Sequence, residues 1–325
     1  MTHITSWGRR ALALAACGAA LLPGALHAQD FPSSPLTIVV PYGPGSYTDN
    51  VIRPLAVALQ KVLGQPVVID NRAGASGIIG TQYVARAKAD GYTLLAGSST
   101  TLAANAGLFK TLPYDPRKDF VPVAGVAATS MMFMVRSDFP AKDLKGFLAH
   151  AGKQPNPLAV GYGSSSAQVA LALLAKESGA KFIAVPYKGT PQAITDLLGG
   201  QVPAAIVDVA NGVPQIRSGK LHALAISGTA RSASAQDVPT LAETWPGTQL
   251  VTWVGLVAPA GTPSAVVDKL SAAVSTALAS PEIKQQFTTI ATELDPASAQ
   301  ELGRRMQRDH VLWLDLIKAA GIVPE

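Results

Sequence analysis

The chain has 325 residues, of which 48% are apolar and 14% are charged, and its formal net charge is +5. This length is enough for two lobes with a sizeable core. Lysine and arginine are scattered and do not interleave with aromatic residues, which argues against a nucleic-acid partner. Cys17 is the only cysteine, so the rest of the chain has neither a disulfide framework nor a thiol nucleophile.

The N-terminus has the pattern of a secretory signal peptide. Arg9 and Arg10 precede the uncharged stretch 11–25, and the small residue Ala28 stands just before Gln29. We expect cleavage after Ala28 and a mature protein that starts near Gln29. The removed segment contains no acidic residue, so loss of its two arginines lowers the net charge from +5 to +3.

The sequence leaves the export route open. Paired arginines permit twin-arginine export as well as the Sec route. The segment ending at Cys17 resembles a lipoprotein cleavage box, but the apolar run continues past it to Leu22 and favours cleavage after Ala28. A retained anchor is a further alternative, although this stretch and every later one is shorter than the ~20 apolar residues that a membrane span needs. The sequence therefore predicts a soluble, exported protein.

Strand-like and helix-like segments alternate along the chain, which predicts an α/β fold with mainly parallel sheets flanked by helices. The predicted strands are 36–40, 67–69, 92–96, 131–135, 158–162, 182–185, 204–209, 221–226 and 250–257. Helical patterns occupy 51–62, 77–87 and 297–320, and further helices are predicted to begin near Asp143, Ser165, Pro191 and Pro263.

The alternation runs in two series, and we therefore predict two lobes. Residues 1–28 are the signal peptide, 29–130 plus 252–325 form lobe 1, and 131–251 form lobe 2. A ligand cleft lies between the lobes. The C-terminal helices are expected to pack back on lobe 1, so that the chain crosses between the lobes twice.

The segment PYGPGSYTDN, residues 41–50 and here called the first loop, directly follows the first predicted strand. In open α/β sheets, ligands bind beyond the carboxyl ends of strands, where the next helix presents free N–H groups and the positive end of its dipole. Gly45 allows close approach of the backbone, while Ser46, Thr48 and the capping candidate Asp49 add hydrogen-bonding groups. A plain turn with a helix cap is the alternative interpretation.

A second segment has the same relation to a strand. Gly163, Ser164, Ser165 and Ser166, here called the second loop, follow the predicted strand 158–162. Three consecutive hydroxyl groups exceed what one helix cap requires. If the lobes face each other, two helix N-termini point into one cleft and hold a carboxylate without a buried arginine.

A serine hydrolase is the alternative from a different functional class. Ser46 and the serines of the second loop are candidate nucleophiles, but none lies in a G-x-S-x-G elbow. The mature chain offers only His150, His222 and His310 as bases, and surface or core positions suit them better.

No metal site and no cofactor site are predicted. The chain contains no H-E-x-x-H, C-x-x-C or P-loop motif. The segment GASGIIG at 74–80 only loosely matches a dinucleotide loop and has no acidic residue at the expected spacing after it. We interpret it as a strand-to-helix turn, and Met131, Met132 and Met134 as core residues at the lobe junction rather than metal ligands.

Six segments in this order resemble the Bug-type (TctC-like) substrate-binding proteins of tripartite tricarboxylate transporters. They are PYGPGSYTD at 41–49, DNRAGA at 70–75, DGYTLL at 90–95, VPYKG at 185–189, DLLGGQV at 196–202 and APAGTP at 258–263. The resemblance covers nearly the whole mature chain. It implies a non-enzymatic periplasmic receptor with a two-lobed periplasmic-binding-protein-like fold that closes on a small carboxylate.

The same resemblance implies which residues contact the ligand. They are Tyr42, Gly45, Ser46, Thr48 and Asp49 in the first loop, Gly163, Ser164, Ser165 and Ser166 in the second, Tyr187, Lys188, Gly189 and Asp208 on the far wall, and, with a weaker match, Ser98, Thr100 and Asn105. Structural roles are the alternative: Tyr187 covering a sheet edge, Lys188 as a solvated charge, and Asp208 capping a turn near Asn211.

Three departures from the family pattern concern the ligand. Ser46 stands where a second glycine is common, Gln168 where a histidine is frequent, and Tyr42 where phenylalanine is usual. Together with Tyr47, these changes would admit an aromatic as well as an aliphatic carboxylate. The identity and affinity of the carboxylate stay open, as does the partner, which is either the membrane permease of a tripartite transporter or a sensor kinase. Nothing in the sequence demands more than a monomer.

Overall fold

Ten strands form the sheet in the residues that the computed structural model describes, 31–325. The predicted signal peptide, with Cys17, lies outside these residues. The strands are β1 Leu36–Val40, β2 Val67–Asn71, β3 Thr93–Ser98, β4 Phe120–Arg136, β5 Leu158–Tyr162, β6 Phe182–Pro186, β7 Ala204–Asp208, β8 Leu221–Ile226, β9 Val251–Pro259 and β10 Glu293–Ala297. Their order is β2-β1-β3-β9-β4-β7-β5-β6, and β10 and β8 also pair with β4.

The helices mostly follow the parallel strands. They are α1 Tyr47–Leu63, α2 Ile78–Ala85, α3 Asn105–Leu108, α4 Leu144–Gly152, α5 Ser165–Ser178, α6 Thr190–Leu198, α7 Val209–Arg217, α8 Ser264–Ala279, α9 Pro281–Thr289 and α10 Ala299–Ala319. Short 3₁₀ turns occupy Ala75–Gly77 and Leu241–Glu243, and a π-helical turn occupies Thr100–Ala104. Within residues 31–325, no helix combines the length and apolarity that a membrane crossing requires.

The long strand β4 divides the sheet into two parts. Its residues 120–130 pair with β9, and residues 125–128 also pair with β10, whereas residues 131–136 pair with β7 and β8. In the first part, β2, β1 and β3 are parallel, and in the second part β6, β5 and β7 are parallel. The predicted two-lobed α/β fold is confirmed, and we call these parts lobe 1 and lobe 2. The exact lobe boundaries stay a prediction.

Helix α1 shows how local sequence positions the first loop. Ser46 caps its N-terminus, and Gly64 ends it in the left-handed conformation with φ 67°, which glycine adopts without steric cost. On the inner face, Val51, Ile52 and Leu55 are 0% exposed. Burial of such side chains contributes roughly 1.5–3 kcal/mol each, so this helix start is firmly anchored behind β1.

The C-terminal helix α10 packs against both lobes. Its buried face contains Leu302, Met306, Trp313 and Ile317, as the periodicity predicts. Leu302 and Met306 lie in a core cluster of lobe 1. Trp313 and Ile317 belong to a second cluster, which also includes Leu108 from lobe 1 and the α5 residues Leu173 and Leu174 from lobe 2. The expectation that this helix packs on lobe 1 was therefore incomplete.

Other elements were not predicted from the sequence. The predicted strand 131–135 is only the end of β4, whose earlier part contains Pro122 and Gly125 and has shifts in register against β9. Helix α7 contains Gly212 and Pro214, both poor helix residues. Tertiary packing outweighs local propensity in both segments.

Candidate functional site

A cavity of about 50 Å³ lies between the two lobes, at the carboxyl ends of β1, β3, β5 and β7. Its walls carry many hydroxyl groups and the starts of α1, α5 and α6. The lining residues are Tyr42, Ser46, Tyr47, Thr48, Ser98, Ser99, Thr100, Met131, Gly163, Ser164, Ser166, Gly189, Thr190, Asp208, Thr252, Trp253 and Val254.

The first loop is held by Asp49 from within lobe 1. The Ser46 Oγ accepts a hydrogen bond from the Asp49 N–H at 3.3 Å, and the Gly45 N–H donates to Asp49 Oδ2 at 2.9 Å. Arg53 Nε donates to the same carboxylate at 2.8 Å, and Asn71 Nδ2 at 2.9 Å. Burial opposes the charge, but these hydrogen bonds and the Arg53 cation outweigh it and lower the pKa of Asp49. Asp49 therefore braces the loop and does not line the cavity.

Tyr42 forms the wall at the end of β1. Its hydroxyl group lies 3.1 Å from Ser98 Oγ, at the end of β3. Burial raises the pKa of Tyr42, partly offset by hydrogen bonds with Ser98 and Thr100. The phenol therefore stays neutral, and these hydroxyl groups act as hydrogen-bond donors and acceptors without charge.

The second loop contacts lobe 1 through its serines. Ser164 caps α5, with its Oγ accepting from the Ala167 N–H at 3.3 Å. Ser165 Oγ donates to Asn105 Oδ1 at 3.0 Å, and Ser166 Oγ lies 3.0 Å from Thr100 Oγ1. One hydroxyl thus serves as the cap and two connect the lobes, which accounts for the three consecutive serines.

Asn105 is buried behind the cavity wall and links the two lobes through hydrogen bonds. Besides accepting from Ser165, it donates through Nδ2 to the Ser76 carbonyl at 3.1 Å and to Tyr114 Oη at 3.4 Å. Neither Asn105 nor Ser165 lines the cavity. The pair fixes the distance between the second loop and the turn at residues 74–77.

Gly163 makes room for a close backbone approach. A Cβ atom at this position would lie 2.2 Å from the backbone nitrogen of Thr190 and 2.3 Å from the carbonyl carbon of Gly189. Only glycine fits such a contact. The second loop and the start of α6 therefore form one continuous wall.

Asp208 brings a buried carboxylate to the cavity. It caps α7, with Oδ1 accepting from the Asn211 N–H at 3.0 Å, while Oδ2 accepts from Asn211 Nδ2 at 3.0 Å and from Thr190 Oγ1 at 3.2 Å. Its side chain is almost fully buried, with a relative exposure of 4%. Burial raises the pKa of Asp208, and the hydrogen bonds from Asn211 and Thr190 oppose that rise.

Tyr47 also lines the cavity, and its hydroxyl group is buried and has no hydrogen-bond partner among residues 31–325. Burial raises the pKa of Tyr47 well above its usual range, and the negative charge of Asp208 adds to the rise. A buried hydroxyl normally has a partner in a native structure.

Tyr187 and Lys188 lie outside this cavity. They line an outer groove of about 330 Å³ together with Gln168, Glu325 and the turn at residues 74–77. Tyr42, Gly163 and Ser164 line both the groove and the cavity. The outer groove therefore adjoins the cavity.

The cavity thus brings together ten of the sixteen predicted contact residues, enough to support the predicted location of the site. They are Tyr42, Ser46, Thr48, Ser98, Thr100, Gly163, Ser164, Ser166, Gly189 and Asp208. Gly45, Asp49, Asn105 and Ser165 support it from behind, and Tyr187 and Lys188 lie in the groove. Ligand contact itself stays a prediction for each of them.

Several wall residues were not predicted from the sequence. Thr190 directly follows the predicted Gly189, so extension of that motif by one residue would have included it. Thr252, Trp253 and Val254 come from the first half of β9. They reach the cavity because β9 lies between β3 and β4, which no local pattern indicates.

Neither catalysis by histidine nor a metal centre finds support at this cavity. Among residues 31–325, no histidine lines the cavity. His150 contacts Gln154, and His222 contacts the Lys142 carbonyl. In residues 31–325, no three His, Cys, Asp or Glu side chains are placed to share a metal ion.

Comparisons with known proteins agree with this architecture. The model of the TctC family, described as "Tripartite tricarboxylate transporter family receptor", matches residues 51–322. Protein BugT of Bordetella pertussis is 37% identical over 266 residues, which are 81% of this chain and 82% of BugT.

Two solved structures are also similar. MatC from Rhodopseudomonas palustris with bound malate has a TM-score of 0.83 and 35% identity, covering 88% of this chain and 100% of that one. R. palustris Rpa4515 with adipate has a TM-score of 0.87 and 32% identity, covering 91% of this chain and 100% of that one. The family match spans most of the sequence and confirms the resemblance. The chain therefore belongs to the tripartite tricarboxylate transporter receptor (TctC, Bug-type) family of periplasmic substrate-binding proteins.

Proposed function

We propose that the protein is a non-enzymatic periplasmic receptor that captures a small organic carboxylate by closure of its lobes. It delivers the ligand to the membrane permease of a tripartite transporter or presents it to a sensor kinase. The observation that carries this proposal is the convergence of the α1 and α5 N-termini on one hydroxyl-lined cavity. Signal-peptide cleavage after Ala28 and action as a monomer are parts of the same proposal.

The helix starts suit an anion for electrostatic reasons. The first N–H groups of a helix lack intrahelical partners and carry partial positive charge. Ser46 and Ser164 cap α1 and α5, and each accepts one N–H group, which leaves other first-turn N–H groups for a ligand. A carboxylate that accepts several N–H and O–H bonds needs no buried cation.

The size of the cavity bears on the class of carboxylate. Space of about 50 Å³ suits a short aliphatic acid better than a benzene carboxylate. An aromatic or longer ligand would extend into the outer groove past Tyr42 and Gly163, which line both spaces. The bound malate and adipate of the similar solved structures support a short aliphatic acid.

The first test is binding by the mature protein after unfolding and refolding, which removes carried-over ligand. Thermal shift and calorimetry would cover aliphatic di- and tricarboxylates, amino acids, nicotinate-like acids and benzene carboxylates. We expect a concentration-dependent rise in Tm with one class, since a ligand at a hundredfold excess over Kd stabilises the folded state by ~2.7 kcal/mol. No shift with any carboxylate would contradict the receptor function.

The hydrolase alternative has a separate test. It requires turnover of a chromogenic ester by the wild-type protein and loss of turnover in Ser46→Ala or Ser165→Ala. We expect no turnover, because both serines already serve as a helix cap or a bracket between the lobes. Turnover abolished by either substitution would replace the receptor proposal with the hydrolase.

A further inference from the structure

Within residues 31–325, the chain passes between the lobes at two places. Strand β4 changes partners between two adjacent residues, since Ser130 pairs with Val251 of β9 in lobe 1 and Met131 pairs with Asp208 of β7 in lobe 2. The segment 227–250 then leads from the end of β8, in lobe 2, to the start of β9, in lobe 1. Any rotation of one lobe against the other must therefore take place at these two passages.

Ser227 joins both passages through all of its polar groups. Its N–H donates to the Met131 carbonyl at 2.8 Å, and its carbonyl accepts from the Leu250 N–H at 2.7 Å. The hydroxyl group repeats the connection, because Oγ accepts from the Met131 N–H at 2.9 Å and donates to the Leu250 carbonyl at 2.6 Å. We call Met131, Ser227 and Leu250 the hinge junction.

The hinge junction is closely packed and shielded from water. Ser227 is 1% exposed, and Met131 and Leu250 are also buried. A Cβ atom at the next residue, Gly228, would lie 2.8 Å from Ser130 Oγ, so the two passages touch each other there. An alanine in place of Ser227 would remove one bond from each passage, and little water is present to replace it.

The hinge junction lies directly behind the cavity wall. Met131 itself lines the cavity. Thr252, Trp253 and Val254 also line it and follow Leu250 closely in sequence. Ser227 therefore holds two segments of the cavity wall against each other, at the place where the chain passes from one lobe to the other.

We propose that Ser227 is a positioning residue for ligand binding, because its hydroxyl group keeps the two passages together while the lobes turn. This inference rests on the proposed closure of the lobes and names the residue that guides it. Passages held at one point restrict the open form to few lobe orientations. Without the hydroxyl group the passages move separately, so closure loses more conformational entropy and the binding-competent fraction falls.

Distances between two spin labels test the inference without any ligand. A chain that starts at Gln29 contains no cysteine. Val57→Cys in lobe 1 and Ile183→Cys in lobe 2 therefore place one label in each lobe, at side chains that are 61% and 52% exposed. We expect Ser227→Ala to widen the distribution of label distances in the ligand-free protein. Saturating ligand should give the same narrow distribution with and without the substitution.

Calorimetry adds the affinity, with the carboxylate that gives the largest thermal shift in the screen described above. We expect Ser227→Ala to weaken binding about fivefold, the change in Kd that corresponds to one hydrogen bond of average strength. Thr262→Val is the matched control, because it also removes a buried hydroxyl group that donates to a backbone carbonyl, that of Pro259 at 2.8 Å within lobe 1. It should leave the label distances and Kd unchanged.

The outcomes separate the inference from the proposed function. If Ser227→Ala keeps the wild-type distribution of distances, or if Thr262→Val widens it equally, the inference is wrong and the receptor function stands. Failure of the wild-type protein to bind any carboxylate would contradict the receptor function, while the ligand-free distances would still decide on the hinge junction.

A milder substitution keeps the test decisive if Ser227→Ala does not fold. Ser227→Cys retains the shape of the side chain, but its thiol is a weaker donor and acceptor than a hydroxyl group. Without spin labels, it is measured by calorimetry and small-angle scattering, and we expect weaker binding and a larger ligand-free radius of gyration. Wild-type values of both would overturn the inference.

Discussion

The two loops that form the cavity start helices in equivalent positions, yet they are held in different ways. The first loop is fixed by Asp49 through Gly45, Arg53 and Asn71, all within lobe 1. The second loop is fixed through Ser165 and Ser166 by bonds to the opposite lobe. The bonds that Asp49 makes therefore do not depend on lobe 2, although Asn50 Nδ2 of the first loop also donates to Asn211 Oδ1 across the cleft at 3.5 Å. The Ser165 and Ser166 bonds of the second loop, by contrast, require the two lobes to be in contact.

Under the proposed closure of the lobes, this difference gives the two loops separate tasks in binding. A preformed loop reduces the conformational entropy lost when a ligand arrives. A loop whose bonds form on closure adds stability to the closed state alone, and so shifts the equilibrium between the open and closed forms. Three substitutions separate these tasks.

Gly163→Ala should have the largest effect, because it would disrupt the close backbone contact between the second loop and the start of α6. The new methyl group would lie 2.2 Å from the Thr190 nitrogen, and overpacking of this kind costs about 1–3 kcal/mol. We expect denaturant unfolding to show that loss, with ligand affinity reduced more than tenfold. Gly152→Ala is the control, since no atom lies within 4 Å of its new Cβ. Equal behaviour of the two variants would contradict the close contact.

Asp49→Ala should lower the stability of the ligand-free protein, because the first loop is braced before binding. It leaves the partly buried Gly45 N–H group without its acceptor and removes one of the two acceptors of the Asn71 amide, which costs about 1–3 kcal/mol. Asp70→Ala removes the neighbouring pair with Arg72, whose side chains are 34% and 38% exposed, and should cost less than about 1 kcal/mol. Denaturant titration without ligand measures both. A stable Asp49→Ala protein that only binds poorly would place Asp49 at the ligand instead.

The Asp49 effect should also depend on pH with a defined sign. Hydrogen bonds and Arg53 lower its pKa below the ordinary 3.8. A lowered folded-state pKa contributes stability above the unfolded value, and that contribution disappears as the pH falls through the folded value. The stability difference between wild type and Asp49→Ala should therefore shrink below about pH 4. A stability difference that grows as the pH falls would contradict the role of Asp49 in holding the first loop.

Ser165→Ala should have the smallest effect and should appear in binding rather than in local packing. The variant removes the 3.0 Å bond to Asn105, and a hydrogen bond contributes about 1 kcal/mol net, which is roughly a fivefold change in Kd. Ser178→Ala removes an equivalent bond to the Leu174 carbonyl at the far end of α5 and should leave Kd unchanged. Calorimetry with the carboxylate that the thermal-shift screen identifies would measure Kd for both variants. Unchanged affinity in Ser165→Ala would show that this bond does not distinguish the two states.

The sequence predicts elements well where chain-local signals agree. Strand β5 and the start of α5 have the predicted bounds, because an apolar run, a glycine and a serine cap follow one another directly. The early part of β4 lacks such signals, since Pro122 and Gly125 are poor strand residues and its pairing with β9 is non-local. Secondary structure there depends on a partner strand more than a hundred residues away.

Side-chain positions in the site are likewise predictable from sequence only where local signals decide them. Spacing after a strand correctly indicates that each loop starts a helix at the cavity. The prediction of Asp49 as the cap of α1 was wrong, because Ser46 precedes the helix and its Oγ accepts the Asp49 N–H. The sequence does not show that Asp49 turns toward Asn71, because that contact depends on how β1 and β2 pair. It also does not show that the Tyr47 hydroxyl group lacks a hydrogen-bond partner among residues 31–325. A residue's place in a motif fixes its backbone position, whereas its side-chain direction depends on the assembled core.

The core cluster that contains Trp313 and Ile317 together with Leu108 and Leu173 limits how the molecule can be divided. A fragment that contains lobe 1 alone would leave Trp313 and Leu108 without the α5 side chains that cover them. A fragment that contains lobe 2 alone would leave Leu173 uncovered by α10. Contiguous apolar surfaces of this kind favour aggregation. Neither half is therefore expected to be expressible as an independent binding module, and a sensor built from this receptor should carry its reporter in an intact chain.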